Sequence, residues 1–276
     1  MRLSLSPILG ALLLGAAHAQ PPANCTADQD CLSAGLRCLP SKGGAPCTLD
    51  YAFNLTGQCA CLPQACADFT YPRPLPGKKQ WLVAGDSISL GYLGDLAKAL
   101  GAPWQVLHVG GSFNCDSAYQ GSRCWSKWLG PNASRWDVVS YNAGLHDLAY
   151  PDNEHLSVTT YAALLATNLR FLAAAARPDA ALVWMRTTPV PTNPPANCTL
   201  IPGRLESAVG AYNAAADAVV AGLAGRVGSC DLHGVVDRAC GAGYASCAIA
   251  QCGGPHFTAK GWALLGAAAA ACGGAA

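Results

Sequence analysis

Charged side chains are scarce in this sequence. Of its 276 residues, 12% are Asp, Glu, Lys or Arg, and the formal net charge is +1. The longest basic run is the pair Lys78-Lys79, so the chain has no electrostatic footprint for a polyanion, and we expect no nucleic-acid partner. Because 51% of the residues are apolar, the length suffices for one domain of about 200 residues with a sizeable core plus a small module.

Several motifs are also missing. The sequence has no His-Glu-x-x-His zinc motif and no Gly-x-Ser-x-Gly, the motif that places a serine nucleophile on the sharp turn of an α/β-hydrolase. No stretch approaches twenty uninterrupted apolar residues, so we expect no transmembrane segment.

The N-terminus has the layout of a secretory signal peptide. Arg2 precedes an apolar stretch at 8–17 and then Ala17-His18-Ala19, which predicts cleavage after Ala19. The fifteen cysteines agree with an oxidising compartment. We therefore expect a secreted, extracellular protein or one in the secretory lumen. In a eukaryotic host it would be open to glycosylation at the acceptor triplets of Asn24, Asn54, Asn132 and Asn197.

Residues 20–70 are interpreted as a cysteine-rich module. Seven cysteines lie here among Gly, Pro and polar residues, so disulfides must replace a core. Zinc is the alternative, but Cys59-Ala60-Cys61 lacks the usual two-residue ligand spacing. Seven is odd, so one cysteine must pair elsewhere or stay free. A Pro-rich stretch at 71–79 is typical of a stiff linker. We thus predict a signal peptide at 1–19, the module at 20–70, the linker at 71–79 and a catalytic domain at 80–276.

From Gln80 onward, strand-like runs alternate with helical ones. This alternation predicts an α/β fold with a parallel sheet and helices on both faces. A final alanine-rich helix through Trp262 and Leu265 is expected to pack on the domain. The predicted strands are 81–84, 104–109, 136–142 and 181–186, and the helical stripes are Leu165, Leu169 and Leu172, then Leu205, Val209, Tyr212, Ala216, Val219 and Leu223.

The stretch Trp81 to Gly91 holds the first candidate for chemistry. Its apolar run is followed by Gly85-Asp86-Ser87 and then by apolar residues at helical spacing, which predicts strand, tight turn and helix. Ser87 at that junction can expose its hydroxyl, and its free backbone N–H can face a developing negative charge. The structural alternative for Ser87 is a plain helix N-cap.

In open parallel sheets the site lies beyond the carboxyl ends of the strands, and four such segments form an ordered set of motifs. They are Gly85-Asp86-Ser87, Gly110-Gly111, Gly144-Leu145-His146-Asp147 and Gly254-Pro255-His256. With these motifs the chain resembles the SGNH subgroup of the GDSL hydrolases, esterases and lipases with a three-layer α/β/α fold. The resemblance spans about 80–272.

The resemblance implies a role for one residue in each motif. Ser87 would be the nucleophile, His256 the base, and the oxyanion hole would comprise the N–H groups of Ser87 and Gly110 with a donor from the third motif. That motif usually reads Gly-x-Asn-Asp in the family, but His146 stands in the Asn position. A neutral imidazole also offers an N–H, and Asn142 is the alternative donor.

The usual acid of the family is missing. The last motif is usually Asp-x-x-His, yet Gly253 stands three residues before His256. We predict a Ser-His dyad in which a backbone carbonyl holds the base, with Asp231 or Asp237 as the alternative third member. Cys247 and Cys252 are expected to fix the loop. His256 could instead be a structural histidine that caps the last helix.

The other histidines of the mature chain, His108, His155 and His233, have no spacing that favours chemistry.

Two other features each have two possible interpretations. Trp125 and Trp128, placed in the loop after Gly110, could stack on a sugar or form a small core. The Pro-rich loop at 187–203 could shape the substrate entrance or be an inert insertion.

The function predicted from the sequence is a secreted serine esterase without metal or organic cofactor. It would hydrolyse carboxylic esters through an acyl-enzyme, with O-acetyl groups on carbohydrate as one substrate class and short-chain lipid esters as another. The alternative is a secreted carbohydrate- or ligand-binding protein that kept the fold and lost turnover. The oligomeric state stays open.

Overall fold

The structure is a computed structural model that describes residues 71–109, 117–130, 132–149, 156–191, 204–241, 247–252 and 254–274. The chain divides into two units, Met1–Cys61 and Leu62–Ala276, and every described residue belongs to the second. The predicted signal peptide and cysteine-rich module lie outside the described residues.

One parallel sheet forms the centre of the domain. Its strand order is β2-β1-β3-β4-β5, and each neighbouring pair is parallel. The four predicted strands are confirmed to within two residues. The fifth was missed because its three residues, Gly-Ser-Cys, contain no apolar run. The strands are β1 Lys79–Ala84, β2 Trp104–His108, β3 Val138–Tyr141, β4 Ala181–Met185 and β5 Gly228–Cys230.

In the described residues, six α-helices connect and flank the strands. They are α1 Ser87–Leu100, α2 Ala118–Trp128, α3 Val158–Ala175, α4 Glu206–Ala221, α5 Leu232–Cys240 and α6 Ala259–Gly274. Helices α2 and α5 were not predicted. Trp125, which was expected in a loop, lies on α2. The predicted stripe on α4 was too long at both ends, because Leu205 is the N-cap residue and is 69% exposed, and Leu223 lies beyond the last helical residue, Ala221.

The helices form two layers around the sheet. Helix α1 packs on α6, while α2 packs on α3 and α3 on α4. Glycines allow α6 to approach closely: a Cβ on Gly266 would lie 2.6 Å from the Leu96 backbone nitrogen, and one on Gly273 would lie 2.3 Å from the Trp81 ring. The alanine-rich last helix is therefore packed on the domain, and the predicted three-layer α/β/α fold is confirmed.

One described helix, α3, is long and apolar enough to cross a membrane by length and composition alone. Its residues Tyr161, Leu165 and Leu169 are buried in the core, where apolar side chains of a packed helix belong.

The stretch before β1, predicted as a linker, is bound to the domain. The Tyr71 hydroxyl donates to the Trp128 carbonyl, and its ring packs edge-on against Trp136, with centroids 4.9 Å apart. Arg135 Nη2 donates to the Pro72 carbonyl at 3.1 Å. That this stretch separates two domains stays a prediction.

Candidate active site

Ser87 lies at the strand-turn-helix junction that the sequence predicts. Strand β1 ends at Ala84 and α1 begins at Ser87. The turn is tight, because a Cβ on Gly85 would lie 2.8 Å from Ser89 Oγ. Asp86 is the N-cap residue and accepts from Ile88 N at 2.9 Å. The Ser87 N–H therefore belongs to the first helical turn, where no intrahelical acceptor exists.

His256 reaches Ser87 from the segment that precedes α6. Its Nε2 lies 2.8 Å from Ser87 Oγ, and both residues are partly exposed. The structure thus brings together two residues that are 169 positions apart. A hydroxyl in hydrogen-bond contact with an imidazole, and open to solvent, is the arrangement in which a histidine can take the hydroxyl proton.

Backbone contacts hold the His256 segment in place. Gln251 N donates to the His256 carbonyl at 2.9 Å, and Ala250 forms an antiparallel bridge with Phe257. The Phe257 side chain is fully buried and packs edge-on against Trp262. These contacts fix the direction in which His256 leaves the chain.

Disulfides anchor the same segment, as the sequence predicts. Cys247 is bonded to Cys240 at the end of α5, and Cys252 is also disulfide-bonded. A second described bond joins Cys230 of β5 to Cys272 of α6. Crosslinks on both sides of His256 limit the freedom of the loop that carries it.

No described carboxylate forms a hydrogen bond or ion pair with His256. Asp231 caps α5, where it accepts from Gly234 N at 2.9 Å and pairs with Arg186 at 2.6 Å. Asp237 pairs with His233 at 3.0 Å. Each candidate acid therefore has another structural partner. Gly253 lies outside the described residues, so the backbone acceptor of the dyad stays a prediction.

The third motif follows β3. Gly144 has φ +148°, and a Cβ there would lie 2.3 Å from Thr187 Oγ1. His146 lies partly exposed on this turn. The buried Asp147 carboxylate accepts from Ala118 N at 2.9 Å, so it ties the turn to the start of α2.

Asn142, the alternative oxyanion donor, is already engaged. Its Nδ2 donates to the Met185 carbonyl at 2.7 Å, and the residue is buried. That bond links β3 to β4 where both strands end and leaves one amide hydrogen for another acceptor. Gly110 and Gly111 lie outside the described residues, so the role of the Gly110 N–H as an oxyanion donor stays a prediction.

The structure also shows a second Ser-His contact that the sequence did not indicate. Ser89 Oγ lies 2.7 Å from His108 Nε2 and 2.7 Å from the Asp86 carbonyl. His108 Nδ1 lies 2.7 Å from the Val109 carbonyl, which can only accept, so Nδ1 carries the proton. Burial lowers the pKa of His108 to about 4. Ser89 and His108 are 19 positions apart and lie on different elements. Sequence spacing alone therefore could not reveal this contact.

Arg204 is another site residue that sequence reasoning missed. Its Nε donates to the Leu145 carbonyl of the third motif at 2.8 Å, and its charge acts on the Asp86 carboxylate beside Ser87. Burial raises the pKa of Asp86 to about 6, while the Ile88 N–H, Arg204 and His256 act in the opposite direction. A single arginine in a loop carries no motif, which explains why it was missed.

Trp125 and Trp128 belong to the core. Both are about 2% exposed; their rings pack edge-on, and Trp125 also meets Tyr141 at 5.1 Å between centroids. The interpretation that they stack on a sugar is therefore wrong, and the core interpretation is confirmed.

Only the first residues of the Pro-rich loop after β4 are described. Val190 N donates to Glu206 Oε2 at 2.7 Å, and Glu206 Oε1 lies 2.8 Å from His233 Nε2. The loop thus begins against α4, and the same Glu206 links α4 to α5. Whether 192–203 shapes an entrance stays open, because those residues lie outside the described part.

Comparison with known proteins gives structural likeness only. No family model matches the chain, and no curated protein matches it. Solved structures do match. One is a protein from Streptococcus pneumonia named as a platelet activating factor, with TM-score 0.55, 15% identity and coverage of 69% of this chain and 82% of the other.

Two more structures agree with it. A protein from Parabacteroides merdae named as a GDSL-like lipase has TM-score 0.55, 16% identity and coverage of 73% of this chain and 98% of the other. The salicylyl-acyltransferase SsfX3 from a tetracycline biosynthetic pathway has TM-score 0.51 and 16% identity, with 74% and 56% of the two chains covered. Together with the parallel sheet and its two helical layers, these likenesses show that the chain shares the α/β/α fold of these proteins, one of which is named as a GDSL-like lipase.

Proposed function

We propose that this chain is a secreted serine esterase that hydrolyses carboxylic esters through an acyl-enzyme. The observation that carries the proposal is the 2.8 Å contact between Ser87 Oγ and His256 Nε2 at the carboxyl edge of a parallel sheet. The fold of the GDSL-like hydrolases supports it. Secretion rests on the N-terminal sequence and is supported by the described disulfides.

Ser87 and His256 each have a defined role in forming the acyl-enzyme. His256 Nε2 takes the Ser87 proton while Oγ bonds to the ester carbonyl carbon, and the carbonyl electrons move to its oxygen. The Ser87 N–H at the start of α1, with Gly110 and His146 or Asn142, would stabilise that oxyanion. The oxyanion then collapses and expels the alcohol, which receives the proton from His256.

The same residues complete hydrolysis. Water attacks the acyl carbon and gives its proton to His256, and a second collapse releases the acid and returns the proton to Ser87 Oγ. The reaction balances without a cofactor. Because Trp125 and Trp128 are buried, they give no support to a carbohydrate alcohol, so we propose carboxylic esters as the class.

Active-site labelling is the direct test. A fluorophosphonate should label Ser87 alone, and Ser87→Ala should abolish both labelling and turnover of p-nitrophenyl acetate. Ser207→Ala, on the exposed face of α4, is the matched control and should keep both. Label on another serine, such as Ser112, would overturn the assignment. A wild-type protein inert to both reagents would instead support the binding-protein alternative.

The substrate class needs its own measurement. Acetylated sugars and p-nitrophenyl esters of graded acyl length should be compared by kcat/KM. A maximum at acetyl with preference for sugar acetates would identify a carbohydrate deacylase, whereas a maximum at longer chains would identify a lipid esterase.

A further inference from the structure

Asp86 carries a charge that its capping role does not require. The residue is fully buried, and its Oδ1 accepts the Ile88 N–H. Its Oδ2 is buried and has no hydrogen-bond partner among the described residues. Asn or Ser would cap the helix equally well without the cost of burying an ionised group. The helix cap therefore explains one oxygen of the carboxylate and leaves its charge unexplained.

Among the described residues, three ionisable side chains from different segments interact electrostatically with this carboxylate. Arg204 comes from the segment before α4, and His256 from the segment before α6. Tyr92 comes from the second turn of α1; the carboxylate acts on it, and its buried hydroxyl has no hydrogen-bond partner among the described residues. Asp86 thus precedes Ser87, whose Oγ lies 2.8 Å from His256 Nε2, and its charge interacts with those of Arg204 and His256.

We propose that the Asp86 carboxylate supplies, through space, the negative charge that stabilises the His256 imidazolium, and that Arg204 keeps this carboxylate ionised. The proposal rests on the esterase function proposed above. Asp86 makes no hydrogen bond to His256, so it acts through the base and is a positioning residue. It takes no proton: the proton moves from Ser87 Oγ to His256 Nε2 and on to the leaving alcohol, while Asp86 stays an anion throughout.

The arrangement has a cost in stability, which makes it testable. Burial raises the pKa of Asp86 to about 6, above its value in the unfolded chain. The folded protein therefore binds the proton more tightly than the unfolded chain does. The resulting penalty is absent at pH below the unfolded value near 4 and fully present above pH 6. A group kept at that cost next to a nucleophile is a candidate for function.

Asp86→Asn is the decisive variant, because it keeps an acceptor for the Ile88 N–H and removes the charge. We expect kcat for p-nitrophenyl acetate to fall about 10- to 100-fold with little change in KM, as for loss of one nearby charge in a partly buried site. The acid limb of the kcat/KM profile should move to lower pH, because His256 loses a neighbouring anion. The melting temperature should rise at pH 8 and match wild type near pH 4.

Two further variants separate this role from a structural one. Asp179→Asn makes the same change before β4, where the carboxylate is 75% exposed and pairs with Arg177, and should leave kcat within about twofold of wild type. Arg204→Gln should move the acid limb to higher pH, opposite to Asp86→Asn. In the Asp86→Asn background, Arg204→Gln should lose most of that effect, as a double-mutant cycle would show.

Failure of the proposed esterase function and failure of the inference about Asp86 give different experimental results. If wild type neither turns over esters nor takes the fluorophosphonate label, the proposed function fails and this inference fails with it. If wild type is active and Asp86→Asn folds with unchanged kcat and pH profile, the inference alone is overturned. A lower melting temperature of Asp86→Asn at pH 8 would also overturn it, because the charge would then be stabilising.

Discussion

Ser89 Oγ lies 2.7 Å from His108 Nε2. Ser89 comes two residues after Ser87, the serine that contacts His256. The described part of the domain thus shows two Ser-His contacts at the start of one helix. Ser89 is about 1% exposed, whereas Ser87 is partly open. Since a nucleophile must meet its substrate, the two contacts differ in access rather than in geometry.

Substitution of Ser89 should therefore leave labelling intact. We expect Ser89→Ala to keep fluorophosphonate labelling at Ser87. Its free energy of unfolding should fall by about 1–3 kcal/mol, because a buried imidazole nitrogen loses its partner. Peptide mapping and urea unfolding measure the two effects. Loss of the label in a folded Ser89→Ala protein would contradict this separation of roles.

Acid should destabilise the protein through His108. Burial lowers the pKa of His108 to about 4, below the unfolded value near 6.5, so its contribution to stability is present above pH 6.5 and is lost as pH falls toward 4. His108→Gln should reduce the loss of unfolding free energy between pH 7 and pH 5.

His233 serves as a control, because its effect on the pH dependence of the unfolding free energy has the opposite sign to that of His108. The hydrogen bond to Glu206, with the nearby Asp237, raises the pKa of His233 above its ordinary value, against burial. Its protonation therefore stabilises the fold below the unfolded pKa, and the contribution is lost as pH rises. His233→Gln should make the loss between pH 7 and pH 5 larger than in wild type. Equal slopes in all three proteins would contradict both assignments.

The two aspartates upstream of the last motif should not be essential for turnover. Asp231 caps α5 and pairs with Arg186, and Asp237 pairs with His233. We expect Asp231→Asn and Asp237→Asn to lower kcat less than tenfold. Asp231→Ala should in addition cost about 1 kcal/mol of stability through loss of the cap. A fall of about 10³ in kcat for either Asn variant would identify a third catalytic member.

The fold could be predicted from sequence where apolar runs were long. Strands β1 and β4 contain runs of at least four consecutive apolar residues, and helix α3 has apolar residues at helical spacing. Strand β5 has three small residues, and pairing with β4 rather than its own composition makes it a strand. Helix α2 was missed because Trp125 and Trp128 were assigned to the loop after Gly110, whereas both are buried on a helix that packs against α3.

The motifs of the candidate site could be predicted from the sequence, but the contacts and burial of its ionisable residues could not. Ser87 and His256 each stand in a recognisable local sequence, so their meeting could be expected. Arg204 and His108 act through contacts made only when separate segments come together. Asp86 was visible beside Ser87, but its full burial depends on packing that no local pattern encodes.

Gly144 should tolerate no side chain. Its φ of +148° is strained for other residues, and a Cβ would lie 2.3 Å from Thr187 Oγ1. Gly144→Ala should lower the unfolding free energy by about 2 kcal/mol or more and reduce kcat by displacing the turn that carries His146. The double variant with Thr187→Ala relieves the collision but keeps the strained backbone, so it should recover stability only in part. Full recovery would show that the collision alone matters.

The oxyanion donor of the third motif is the remaining question of the site. If the His146 ring N–H donates to the oxyanion, His146→Ala should lower kcat by about 10² to 10³ with little change in KM. His146→Asn should recover part of that loss, because an amide also donates. Single-turnover kinetics with p-nitrophenyl acetate would place the loss in the acylation step.

Asn142 supplies the contrast, because its amide already donates to the Met185 carbonyl. Asn142→Ala leaves that buried carbonyl without its partner, so it should lower the unfolding free energy by about 1–3 kcal/mol while kcat in the folded fraction changes little. The opposite result, wild-type kcat for His146→Ala and a fall of 10² or more for folded Asn142→Ala, would transfer the donor role to Asn142. The second amide hydrogen of Asn142 would then point to the substrate.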